Sequence, residues 1–208
     1  MKGLLLKDFY MLRKYCKVYL LLALVFVFAS LSGTQNLFFI FYPCMVCSML
    51  PANLLAYDEK SRWLQYSETL PYSKKQLVSV KYLIGLILQG SMLILTAIVQ
   101  AIVMHLDHVF DLKNYLVLMM LLLTMSLISS SITLPFMFKW GVERGRISYY
   151  LMIALVCFGS VAIANATEKG LLAKINPNGV LIAVCLVSIA LYALSWCLSI
   201  VFYKKREV

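Results

Sequence analysis

Long apolar runs alternate with short polar breaks along the whole chain. The apolar stretches cover about residues 18–32, 37–57, 83–104, 115–138, 149–166 and 180–203. Crossing a hydrocarbon layer of about 30 Å takes roughly 20 apolar residues as a helix, and most of these runs meet that length. Backbone polar groups find no water at that depth, so the runs satisfy themselves as helices. The pattern predicts an all-α polytopic membrane protein with six spans. The second span contains Pro43 and Pro51, and the fourth carries Ser129, Ser130, Ser131, Thr133 and Pro135 toward its end. Prolines free a carbonyl one turn back, and small hydroxyl residues suit close helix packing.

The longest polar break, residues 58–82, reads DEKSRWLQYSETLPYSKKQLVSVKY. Trp63, Tyr66 and Leu70 fall at i, i+3 and i+7, which predicts a short helix with one aromatic stripe and with Arg62, Gln65, Glu68 and Thr69 facing elsewhere. Leu70 precedes Pro71, which disfavours helix at Leu70. Ser73 to Gln76 fits a capping box that starts the next helix. The stripe has two readings. It sits in the lipid headgroup belt, or it docks into a groove of a soluble partner with its aromatics as anchors.

Residues 2–17 predict a second amphipathic element. At about 100° per residue, Lys2, Lys7, Arg13, Lys14 and Lys17 share one face, and Leu4, Leu5, Phe9, Met11 and Leu12 the other. Such a helix lies in the inner headgroup layer with its cations among anionic lipids. More spans follow and no cleavage site stands out, so the segment reads as an interfacial helix rather than a signal peptide.

Composition agrees with the pattern. The 208 residues have room for one domain, are 62% hydrophobic and only 13% charged, and have a mean hydropathy of +0.87. Soluble domains carry about 25% charge. A net charge of +10 would fit a nucleic-acid binder, but the cations sit in short segments beside the apolar runs. Residues 2–17, 60–81, 139–146 and 204–206 hold 16 Lys and Arg, whereas the alternate loops hold 3, namely Lys113, Lys169 and Lys174. By the positive-inside rule the first set is cytoplasmic, with both termini and the 58–82 break.

Candidate chemistry inside the membrane is thin. No Asp, Glu, Lys or Arg falls within the six runs, which argues against ion-coupled transport. No phosphate-cradling G-x-x-x-x-G-K-[ST] loop is present either. Cys44-x-x-Cys47 lies inside a span without a second pair and reads as core. His105, Asp107, His108 and Asp111 offer four ligand atoms in a short outer turn, where polar residues are expected in any case. No metal, cofactor or catalytic residue is assigned to this chain.

Two stretches carry a resemblance to a known family. One is Tyr57-Asp58-Glu59, Trp63, Tyr66, Leu70-Pro71-Tyr72-Ser73-Lys74-Lys75, Val78 and Lys81-Tyr82. The other is Pro135, Phe138-Lys139, Gly141, Glu143 and Arg144-Gly145-Arg146. With these motifs in the right loops of a six-run chain, the sequence resembles a permease subunit of type 2 ABC exporters. It looks like a member of the small six-helix group that includes the permeases exporting phenol-soluble modulin peptides.

The resemblance implies a permease in the bacterial cytoplasmic membrane that is not itself an enzyme. ATP and Mg would be bound by a separate ABC ATPase chain, and a second permease chain, identical or related, would complete the assembly. It implies that the 58–82 loop carries the coupling helix, with Trp63, Tyr66 and Leu70 as anchors. Asp58 and Glu59 open that segment, while Arg62, Glu68, Lys74 and Lys75 tune the contact. Lys139, Glu143, Arg144 and Arg146 form a secondary cytoplasmic contact. Amphipathic or antimicrobial-type peptides are the implied cargo. The competing functions are a non-transporting membrane scaffold that recruits a soluble protein through its basic loops, and an ATP-independent carrier, which the charge-free spans disfavour.

Overall fold

The apolar runs fold as helices, and several helices outrun them. A computed structural model describes residues 2–32, 37–67, 69–106, 108, 111–145, 147, 150–151, 154, 158 and 177–205. In chain order the helices are α1 (Lys2–Tyr15), α2 (Lys17–Ala29) with a 3-10 turn at Ser30–Ser32, α3 (Leu37–Lys60), α4 (Trp63–Ser67), α5 (Lys74–Leu106), α6 (Leu112–Gly145) and α7 (Pro177–Lys205). No strand occurs among the described residues.

Four of these helices contain a segment long and apolar enough to cross a membrane: Phe38–Lys60, Lys74–Leu106, Leu112–Gly145 and Leu181–Lys205. They match the second, third, fourth and sixth predicted spans. The first, 18–32, corresponds to α2 and its 3-10 turn; α2 has 13 residues, about 20 Å of helix at ~1.5 Å per residue, short of a full crossing. The fifth, 149–166, falls almost wholly outside the described residues, as do Glu68, Asp107, Arg146 and the loop 167–176.

The 58–82 segment is less of a loop than its polarity implies. α3 continues through Asp58 and Glu59 to Lys60, and α5 already begins at Lys74. The physical reason is that hydropathy marks where a helix leaves hydrocarbon, not where its hydrogen bonding stops. Between them, Arg62 takes φ 53, a left-handed stop at the end of α3, and α4 follows at once. α4 ends at Ser67, so Leu70 lies beyond it. The capping box forms: Ser73 N–H donates to Gln76 Oε1 at 3.2 Å, and Gln76 N–H donates to Ser73 Oγ at 3.3 Å.

α6 and α7 share the most extensive helix contact, followed by α3 with α6 and α3 with α5. Where α3 crosses α5 the backbones come close. A methyl group on Gly85 would stand 3.0 Å from the Pro51 ring and 3.5 Å from the Tyr192 hydroxyl. Pro135 has no N–H, so the Ser131 carbonyl one turn earlier loses its helical partner; Ser195 Oγ of α7 donates to it at 2.8 Å. Neighbouring hydroxyl groups continue this neutral seam. Tyr82 OH pairs with Ser195 Oγ at 2.8 Å and Ser199 Oγ at 2.7 Å. Ser48 Oγ donates to Ser129 Oγ at 2.9 Å, and Ser130 Oγ donates to the Ser48 carbonyl at 3.0 Å.

Candidate functional site

One end of the bundle gathers the basic segments that charge counting grouped together. Lys7 of α1 meets Asp58 of α3. Lys74 stands over the Tyr203 ring and Lys139 over the Phe202 ring. Glu59 reaches the far end of α6, where its Oε2 accepts the Val142 N–H at 2.7 Å.

α6 is bent there. Gly141 sits at φ 79, ψ 172 and breaks the helix in two. The turn lets the chain double back, so that a methyl on Gly145 would lie 2.6 Å from Met137 Cγ. Glycine is required at both positions, by φ at one and by close approach at the other. The Glu59 carboxylate then meets the first N–H that the break leaves without a helical partner, where a negative charge is favoured.

At the centre of this end, four charges close on one another. Lys7 Nζ lies 2.6 Å from Asp58 Oδ1 and 3.2 Å from Asp8 Oδ1. Lys81 Nζ lies 2.6 Å from Asp58 Oδ2 and 2.7 Å from Asp8 Oδ2. Each lysine bridges both carboxylates, and each carboxylate gives one oxygen to each lysine. The ring is net neutral, and Asp8, Asp58 and Lys81 are buried. Leu4, Leu55, Leu77, Val80, Phe138 and Tyr203 wall it in. Lys7 also places its ammonium 4.1 Å from the centre of the Trp63 ring, a cation–π contact.

The structure therefore divides the residues singled out from the sequence. Asp58 and Glu59 turn inward and hold helices together. Trp63 is half-buried under Lys7, while Tyr66, tilted against it with ring centres 5.5 Å apart, is 58% exposed. Arg62 and Lys75 are exposed, Lys74 is half-buried and Leu70 is half-buried in the bend after α4. Lys139, Glu143 and Arg144 are exposed on the α6 side. Glu143 and Arg144 share with Tyr19, Asn53, Glu59 and Trp140 a cavity of about 830 Å3.

Sequence reasoning missed Asp8 and the pairing of Lys7 and Lys81. The inward stripe of α1 is Leu4, Asp8 and Leu12, and Phe9 is exposed. Lys7 thus leaves the cationic face expected of it, and Phe9 the apolar one. The signal was available: an aspartate at i+4 between two inward leucines requires a cation opposite. Cys16, buried where α1 meets α2, has its thiol pushed up by desolvation, opposed by the Lys81 charge; it packs rather than reacts. Of the outer-turn group, Asp107 lies outside the described residues and Asp111 Oδ1 accepts the Lys113 N–H. Among the described residues no cluster of three or more His, Cys, Asp or Glu could hold a metal ion.

Apolar helices of spanning length, with ion-paired and basic segments collected at one end, define a multi-pass membrane protein. Residues 3–204 match the family model described as ABC-2 family transporter protein, and the chain belongs to that family. It is accordingly a permease subunit of an ABC transporter, not itself the ATPase, and an ABC ATPase is its partner. No curated protein and no solved structure matches the chain significantly.

Proposed function

We infer that this permease works in the bacterial cytoplasmic membrane as part of an exporter with two permease chains and two ATPase chains, and that α4 is its coupling helix. The observation that carries the reading is the position of α4. It is a short helix strung between two long apolar ones, at the charged end, with Trp63 fixed inward and Tyr66 presented outward. That arrangement suits a lever: a rigid root in the bundle and an aromatic tip for a groove on the ATPase. Tyr66 and Leu70 form the contact, and Arg62, Lys74 and Lys75 tune it, a role that the sequence also assigns to Glu68. Asp58 and Glu59 support the lever from behind. Lys139, Glu143, Arg144 and Arg146 provide a second contact with the same partner.

ATP-driven closure of the ATPase pair pushes the two levers together and switches the helices between inward and outward access. Amphipathic peptides are the cargo this reading favours. The cavity beside α6 offers Tyr19 and Trp140 together with Glu59 and Lys60, which suits a segment with one apolar and one charged face.

The test is copurification with the partner ATPase from membranes. Tyr66→Ala and Trp63→Ala are expected to reduce recovery of the ATPase by about 5- to 30-fold, the equivalent of one aromatic anchor. Full recovery with both variants, together with unchanged ATP hydrolysis by the complex, would remove α4 from the coupling role. Cargo is tested separately by ATP-dependent accumulation of a cationic amphipathic peptide in inside-out vesicles. Failure there sinks the peptide assignment and leaves the coupling helix standing.

A further inference from the structure

The ring of Lys7, Asp8, Asp58 and Lys81 takes members from three helices, and through Lys7 it also touches the fourth. α1 supplies Lys7 and Asp8, α3 supplies Asp58, and α5 supplies Lys81. Trp63 of α4 lies against the same Lys7 ammonium. Buried ion pairs add little net stability compared with apolar residues of similar volume. What they add is direction. Every carboxylate oxygen in this ring stands within 3.2 Å of one ammonium nitrogen, so sliding any helix past the others strands a charge among Leu4, Leu55 and Phe138. Packed leucines at the same place would tolerate a shift far more easily.

We propose that the Lys7–Asp8–Asp58–Lys81 ring is a positioning element that makes α1 and the adjoining ends of α3 and α5 move with α4 as one body when the ATPase pushes on it. The inference rests on the coupling role of α4. It adds α1, which has no part in that role, to the moving unit.

The experiment compares three proteins in the assembled transporter. The first has the native ring. The second carries Lys7→Asp, Asp8→Lys, Asp58→Lys and Lys81→Asp, which exchanges all four charges and keeps cations and anions alternating around the ring. The third carries Lys7→Met, Asp8→Leu, Asp58→Leu and Lys81→Met, which fills the space without charge. Nitroxide labels at Tyr10→Cys on α1 and Gln65→Cys on α4, both exposed sites, report one distance with and without ATP; Cys157, the partly exposed Cys185 and the exposed Cys197 are replaced by Ser throughout. The native and exchanged rings are expected to keep a single distance in both states. The apolar variant is expected to broaden, or to shift by about 2 Å or more, when ATP is added, the scale of small helix displacements.

Three results overturn the proposal. They are an apolar variant whose distance ignores ATP, an exchanged ring that behaves like the apolar one, and an apolar variant that is not recovered as a folded permease from membranes, which would make the ring a folding requirement. Loss of the ATPase from the apolar variant but not from the exchanged ring supports it. Should Trp63→Ala and Tyr66→Ala leave docking intact, the coupling reading fails instead, and the two failures are distinct.

Discussion

Two polar regions hold the same helices together by different means. At one end α3 and α5 meet through full charges, Asp58 and Lys81, with α1 closing the ring. Further along the bundle, α3 joins α6 through Ser48 with Ser129 and Ser130, and α5 joins α7 through Tyr82 with Ser195 and Ser199. The difference follows from the cost of error. A neutral hydroxyl that loses its partner within a bundle finds another nearby, and interhelical hydrogen bonds in membrane proteins are worth about 0.6 kcal/mol on average. A buried charge that loses its partner has no such recourse. Neutral bonds therefore suit a region of close packing, and charges suit a place where position must be held.

The largest effect should come from breaking the ring. Lys81→Met leaves Asp8 and Asp58 facing each other with only Lys7 between them, and should destabilise the protein by about 3–5 kcal/mol. Thermal unfolding in detergent would show it, and a loss below that of a single hydroxyl deletion would erase the contrast between the two regions. Next is the charged bond at the α6 break. Glu59→Ala strands the buried Val142 N–H and should cost about 1.5–3 kcal/mol, read by denaturant titration of the same preparation.

The neutral seam should respond less. Tyr82→Phe removes one hydroxyl shared by Ser195 and Ser199, but Ser195 keeps its bond to the Ser131 carbonyl. A loss of about 0.6–1.7 kcal/mol is expected, and a value near that of Lys81→Met would mean that the seam is as demanding as the ring. The smallest change is expected at Gln89, which donates to Ser130 Oγ while its own Oε1, buried, finds no partner among the described residues. Gln89→Leu removes one bond and one unsatisfied oxygen together. The two terms offset, and the unfolding free energy should stay within about 0.5 kcal/mol of wild type.

Much of this contrast was legible in advance. Ser129, Ser130 and Pro135 announced a close-packed α6, because hydroxyl residues and a missing N–H have predictable consequences within a few residues of their own position. The start of α5 was readable for the same reason, since Ser73 and Gln76 are three residues apart. The stripe of Trp63, Tyr66 and Leu70 was readable only in part. Helical spacing placed Trp63 and Tyr66 together, but the turn after Ser67 took Leu70 off the helix.

The apolar runs by themselves determined that this is a helical membrane protein, and the placement of Lys and Arg determined which segments share an end. Both are sums of local terms: each residue prefers hydrocarbon or water nearly independently of its distant neighbours. Only the tertiary structure decided which charges at that end are presented to solvent and which are buried. Lys7 and Asp58 are 51 residues apart in sequence, and Lys81 reaches Asp8 across the bundle. Their pairing depends on helices crossing at one angle and register, which no spacing rule encodes. It also depends on the geometry of two carboxylates and two ammonium groups, which close into a neutral ring only once α1, α3 and α5 are side by side.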